Sequence, residues 1–139
     1  MELIKVIMSS VKTVRTNVRW NGARAEFFSL KKGLRQGDPI SPYLFVICMD
    51  KLSHLFSDAV NKGDWLSMKA GRNGPMISHP MFADDLLLFG QATEKQMRCV
   101  MQVLNQFCSI SGQKISTEKT RILFSRTVDV RTRGELINN

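Results

Sequence analysis

Leu3, Ile4, Val6, Ile7 and Val11 fall on roughly one face of a helix, so the hydrophobic pattern predicts a helix over residues 2–12 and a chain that opens inside structure. Two short runs, residues 16–20 and 23–30, then flank Asn21-Gly22. Asn-Gly between such runs predicts a tight hairpin, because both residues accept positive φ. Residues 31–38, Lys-Lys-Gly-Leu-Arg-Gln-Gly-Asp, read as a basic loop punctuated by glycine.

Residues 39–56 follow as a helix. Ile40, Tyr43, Leu44, Phe45, Val46, Ile47, Cys48, Met49, Leu52, Leu55 and Phe56 cover more than one face, which predicts burial on most sides. Asp38 suits the N-cap and Pro39 the first turn. Gly63, Gly71, Asn73, Gly74 and Pro75 make 61–75 turn-rich, with a short strand over 65–70. A hairpin is expected over 77–89. Thr93 opens a helix over 93–110, with Gln96 at capping-box spacing. Met97, Val100, Met101, Leu104, Phe107 and Cys108 form its apolar stripe, and Gly112 its stop. Residues 121–125 read as a short strand, and 126–139 as a polar, basic end, frayed or a helix cut off early. No repeat or domain boundary is visible across 1–139. The pattern is α+β: a small antiparallel sheet with helices 39–56 and 93–110 packed on one face.

Composition sharpens the choice of partner. Lys and Arg number 20 against 12 acids, a formal charge of +8, which favours a polyanion and nucleic acid first. A basic soluble domain with no such partner is the plain alternative. Cys48, Cys99 and Cys108 are an odd set without Cys-x-x-Cys, so reduced, buried thiols in a reducing intracellular compartment are expected. No apolar run reaches transmembrane length, and no membrane partner is expected. Lys5 interrupts the only N-terminal apolar stretch, which disfavours a signal peptide. Lys12, Arg15 and Arg19 suit a mitochondrial presequence, but Glu2 does not.

The candidate chemistry begins at Phe82-Ala83-Asp84-Asp85, followed by Leu86-Leu87-Leu88-Phe89. Two carboxylates interrupt a strand-like run. In a buried strand each would be desolvated, and at an effective dielectric of about 20 they would repel by about 4 kcal/mol at about 4 Å. A pair of divalent cations relieves that repulsion and performs phosphoryl and nucleotidyl transfer. A two-residue turn centred on Asp84 and Asp85 would put both groups at its apex; an acidic turn exposed to water is the alternative. In the loop, Arg35 suits a phosphate, Gln36 a sugar or base edge, and Gly33 and Gly37 close backbone approach. An ordinary solvated connection fits the same residues. Lys119 could screen or protonate a polyphosphate, or could be surface decoration. His54 suits a helix surface or core, and His79 lies nearer the carboxylates.

Together these segments are similar to a known family. Gly33-Leu34-Arg35-Gln36-Gly37-Asp38-Pro39-Ile40-Ser41-Pro42-Tyr43-Leu44-Phe45 resembles the template- and nucleotide-contacting motif of reverse transcriptases, in the form found in non-LTR (LINE-type) retrotransposons and in a plant-like style. Phe82-Ala83-Asp84-Asp85 resembles the family's catalytic palm hairpin. Ser111-Gly112-Gln113-Lys114-Ile115-Ser116, with Lys119-Thr120, is similar to its next motif. The resemblance implies an incomplete polymerase palm acting by two-metal nucleotidyl transfer. Asp84 would bind the catalytic Mg2+ ions, with Asp85 assisting. Phe82 would flank the active hairpin, Gly33, Arg35, Gln36 and Gly37 would face template and nucleotide, and Lys119 would protonate pyrophosphate. The implied partners are an RNA template, a DNA primer and a dNTP.

Departures from the family pattern set further expectations. The family carries a third carboxylate on a strand preceding the first motif, yet no Asp occurs here before Asp38, and only Glu2 and Glu26 precede it among acids. A fragment without that ligand strand, the fingers and most of a thumb is expected, inactive alone. A non-catalytic basic nucleic-acid-binding module, or a gene remnant, is the alternative. Pro80, Gln113 and Ser116 also differ from usual family residues, and Pro80 implies an irregular or edge strand.

Overall fold

A computed structural model describes residues 2–30, 33–35 and 37–137. Gln36, among the expected nucleotide contacts, lies outside the described residues. The chain divides into two compact units, residues 1–45 and 46–139.

The first unit opens with α1 (Glu2–Lys12). Next, β1 (Arg15–Thr16) pairs antiparallel with β4 (Phe28–Ser29), and β2 (Arg19–Trp20) with β3 (Ala23–Arg24). These are two stretches of one hairpin. Its turn is Asn21-Gly22, with φ of 45° and 83°, the two left-handed residues that a type I′ turn requires. The registers Thr16↔Phe28 and Arg19↔Arg24 leave an extra residue on the second strand. The Ala25 N–H donates to the Val18 carbonyl at 2.9 Å, so Glu26 and Phe27 together face Asn17 as a bulge. None of the described residues of this unit is buried; Leu3, Ile4, Val6 and Trp20 are all exposed.

Helix α2 spans Ser41–Asn61, starting later and ending later than the expected 39–56. Asp38 forms a turn ahead of the helix instead of its cap: its Oδ1 accepts the Ile40 N–H at 3.0 Å, and its carbonyl accepts the Ser41 N–H at 3.1 Å. Burial is confined to the second half of α2, at Leu52, Leu55, Phe56 and Ala59. Tyr43, Val46 and Ile47 are exposed, so the expected burial on most sides does not hold.

In the second unit, α3 (Glu94–Ser111) begins at the expected Thr93 cap, whose side chain accepts the Gln96 N–H, and ends at Gly112 in a left-handed conformation. The Gln96 side chain does not complete the capping box. It is buried, accepts the Leu66 N–H at 2.9 Å and donates to the Asp64 carbonyl at 2.8 Å, fixing the loop after α2. The buried seam is Gln96, Cys99, Val103 and Phe107, rotated by one position from the expected stripe; Met101 is exposed. Leu52, Leu55, Phe56, Ala59, Trp65, Cys99, Val103 and Phe107 form the core. Trp65 also carries a buried indole N–H with no partner among the described residues.

Two short ribbons complete the strands: β5 (Met68–Lys69) with β6 (Met76–Ile77), and β7 (Met81–Phe82) with β8 (Asp85–Leu86). The architecture is α+β, but among the described residues the strands form separate two-stranded pairs instead of one small sheet. Residues 121–125 form no strand; Ile122 and Leu123 are exposed and their backbone groups find no ladder. Helix α4 (Val130–Ile137) follows, with Leu136 buried. Its cap is Asp129, which accepts the Thr132 N–H at 2.9 Å and the Thr132 hydroxyl at 2.6 Å. Those bonds, the hydroxyl's first, hold the Asp129 carboxyl below its ordinary pKa.

Candidate functional site

The carboxylate hairpin is set by its turn. Met81 pairs with Leu86 and Phe82 with Asp85, so the two central residues are Ala83 and Asp84, one position earlier than expected. Ala83 takes φ +51°, a left-handed conformation that costs a residue with a Cβ about 1–2 kcal/mol. The ladder continues beyond the strands: Leu87 N–H donates to the Pro80 carbonyl at 3.0 Å, and Phe89 N–H to the Ser78 carbonyl at 2.8 Å. Pro80 has no N–H to return the second bond of its pair, the irregularity its sequence implied.

Alternation along the hairpin makes two faces. Met81, Leu86 and Leu88 pack against the core. Phe82, Asp85 and Leu87 project from the other face, with Phe82 83% and Leu87 61% exposed. Asp84 and Asp85 are both exposed, so the two charges sit in water at the tip and the burial cost invoked for a buried strand does not arise. Among the described residues no side-chain hydrogen bond or ion pair reaches either carboxylate. Two hard, unpartnered oxygen donors in sequence fit a magnesium ion, which takes one or two protein carboxylates and keeps water elsewhere. Among the described residues no cluster of three or more His, Cys, Asp or Glu side chains could hold a metal.

The hairpin is tied to α2 by His79, whose role sequence reasoning missed. Its ring stacks on Phe56 with centroids 5.5 Å apart. Nε2 lies 3.1 Å from the Ser53 hydroxyl and Nδ1 2.6 Å from the Ser78 hydroxyl. Burial disfavours the charged ring and lowers the His79 pKa, with the Ser53 bond opposing. The neutral ring therefore stabilises the fold. This contribution is complete above the ordinary imidazole value near about 6.5 and is lost as pH falls through the lower folded value. The thermal midpoint of the chain should fall between about pH 7 and about pH 5. Circular dichroism melts of His79→Gln should show a smaller fall, and an identical fall in both chains would remove His79 from the account.

In the first unit, Gly33 and Gly37 take φ of 87° and 84°, which favours glycine at both. Between them Arg35 is exposed, and its carbonyl accepts the Ser41 hydroxyl at 2.8 Å. An open groove here is lined by Leu34, Arg35, Gly37, Asp38, Pro42 and Phe45. In the second unit, Lys119 lies exposed on a turn whose backbone is closed by Ser116, and its side chain has no partner among the described residues. Gln113 is half-buried and its amide donates to Cys48 Sγ at 3.6 Å. The three thiols are free, and burial pushes Cys48 and Cys99 up in pKa. His54 is exposed and lies beside Asp50 at 3.4 Å. No described helix is long and apolar enough to cross a membrane.

An uncharacterized mitochondrial protein of Arabidopsis thaliana is 45% identical over 65 residues, covering 47% of this chain and 53% of that protein. The retrovirus-related Pol polyprotein from the type-2 retrotransposable element R2DM of Drosophila melanogaster is 31% identical over 75% of this chain and 9% of its own length. The corresponding polyprotein from the type-1 element R2 of Popillia japonica is 35% identical over 59% of this chain and 12% of its own. The chain thus spans about half of the first relative and about a tenth of the polyproteins. No solved structure matches it significantly. Residues 2–132 match the family described as reverse transcriptase (RNA-dependent DNA polymerase), a span that takes in the glycine-bracketed loop, the aspartate hairpin and Lys119. The resemblance to non-LTR reverse transcriptases seen in the motifs is therefore borne out, and the chain belongs to the reverse transcriptase family.

Proposed function

We propose that this chain is palm material of an RNA-directed DNA polymerase of the non-LTR type, acting on an RNA template, a DNA primer and dNTPs. The observation that carries the reading is the hairpin tip: Asp84 and Asp85 stand exposed and unpartnered, on a ribbon whose inner face is anchored in the core. Asp84 and Asp85 would hold Mg2+, which when bound activates a 3′ hydroxyl and neutralises charge on pyrophosphate. Phe82 pairs with Asp85 across the ribbon and keeps an apolar surface beside it. Arg35 binds phosphate, and Gly33 and Gly37 let the backbone come close to template or nucleotide; Gln36 takes a base or sugar edge. Lys119 supplies the proton for the leaving pyrophosphate.

Within residues 1–139 no Asp precedes Asp38 to serve as a third carboxylate, so a polypeptide of these residues alone is proposed to be inactive. Primer extension with magnesium should give no incorporation. Incorporation that Asp84→Ala abolishes would overturn that part. Manganese, added in place of magnesium, should first broaden the amide signals of residues 82–87, and Asp84→Asn should remove the effect. Uniform broadening would discard the metal assignment. A second reading, a basic module that binds nucleic acid without catalysis, rests on the +8 charge and is favoured if salt-dependent RNA binding occurs with no metal effect at the hairpin.

A further inference from the structure

The arginines of the first unit stand in an arrangement that folding alone does not favour. Arg19 and Arg24 are directly opposite each other across β2 and β3. Opposed residues share a face, and like charges there destabilise a ribbon. Arg15 lies four residues before Arg19, an even spacing that puts it on the same face of an extended chain. All three are exposed, and among the described residues none has an acidic partner. Glu26, the one acid between residues 13 and 30, is in the bulge. Residues 1–45 hold eight of the 20 basic residues and three of the 12 acids, so +5 of the +8 charge lies in this first third. Trp20 and Ala23 take the opposite face, with Trp20 80% exposed. One face of the ribbon is thus basic and the other apolar.

From this pairing we infer that the arginine face of the β2–β3 hairpin is a binding surface for the phosphodiester backbone of nucleic acid. The surface is additional to the carboxylate hairpin and to the loop of residues 33–42, and it rests on the nucleic-acid partner of the proposed function. Guanidinium groups match phosphate oxygens two bonds at a time, and a bound phosphate turns the Arg19–Arg24 repulsion into shared attraction. The contact reads charge and not base identity.

Arg24→Glu separates this role from a structural one, because it moves stability and binding in opposite directions. An opposed Arg–Glu pair firms the ribbon, so amide hydrogen exchange of residues 19–24 should stay level or slow. Affinity for fluorescein-labelled single-stranded oligo-dT or oligo-U of about 20 nucleotides, read by anisotropy, should fall at least about tenfold. The log–log salt dependence should become shallower by about one. Lys62→Glu makes the same change in net charge on the second unit and should weaken binding less than about threefold. Preference for either oligonucleotide identifies the strand bound and supports the surface equally. Equal weakening by Lys62→Glu, unchanged affinity in Arg24→Glu, or no salt-dependent binding by the parent chain would overturn it. The first two results leave the polymerase reading intact, which the manganese experiment tests separately.

Discussion

Phe56→Ala should remove about 3–5 kcal/mol from the stability of the second unit, the largest loss expected from truncating one side chain among the described residues. Phe56 is the one side chain with no exposed surface among the described residues. It meets Trp65 edge-on at 6.3 Å and stacks on His79, so truncation opens a cavity and loosens the ring that ties the carboxylate hairpin to α2. Domains hold only about 5–15 kcal/mol in total, so much of the chain should be unfolded or close to it. With a urea slope of about 2 kcal/mol/M, the midpoint should move down by about 2 M. Leu123→Ala, at a residue 95% exposed, should stay within about 0.5 kcal/mol. Comparable shifts for the two would place the core elsewhere.

Gly90→Ala should cost about 1–3 kcal/mol, although it adds a single methyl group. A Cβ at Gly90 would lie 2.5 Å and 2.6 Å from the Trp65 Cη2 and Cζ2 atoms. Trp65 is held in the core by Phe56 and cannot swing aside. Gly134 gives the opposite sign. It lies in α4 with nothing within 4 Å of an added methyl group, and alanine there should stabilise by about 0.5–1 kcal/mol. Chemical denaturation of both variants checks the pair, and two losses or two gains would contradict the packing described.

Features written into adjacent residues were legible from the sequence. Asn21-Gly22 set its turn because the chemistry of two residues decides the backbone there. Thr93 and Gly112 bounded α3 for the same reason. Features that depend on distant partners were not. The buried stripe of α3 differs by one position from its apolar pattern because Gln96, a polar residue, is drawn inside by the backbone of residues 64–66. Residues 121–125 have a strand's composition, but a strand needs a neighbour to pair with. The tip of the carboxylate hairpin slipped by one residue because alanine is a poor first choice for positive φ, while the packing of Met81 and Leu86 requires that register. Asp84 and Asp85 were singled out as candidates by residue type, and the structure adds their exposure at the hairpin. The family followed from three spaced motifs that no single one would have carried.

The first unit keeps its secondary structure without one enclosed side chain among its described residues. Cooperative melting comes from buried apolar contacts that must all break together, and the described residues of α1 and its following ribbon include no fully buried side chain. On warming, these residues should fray gradually, and the only sharp heat-absorption peak should belong to the cluster around Phe56.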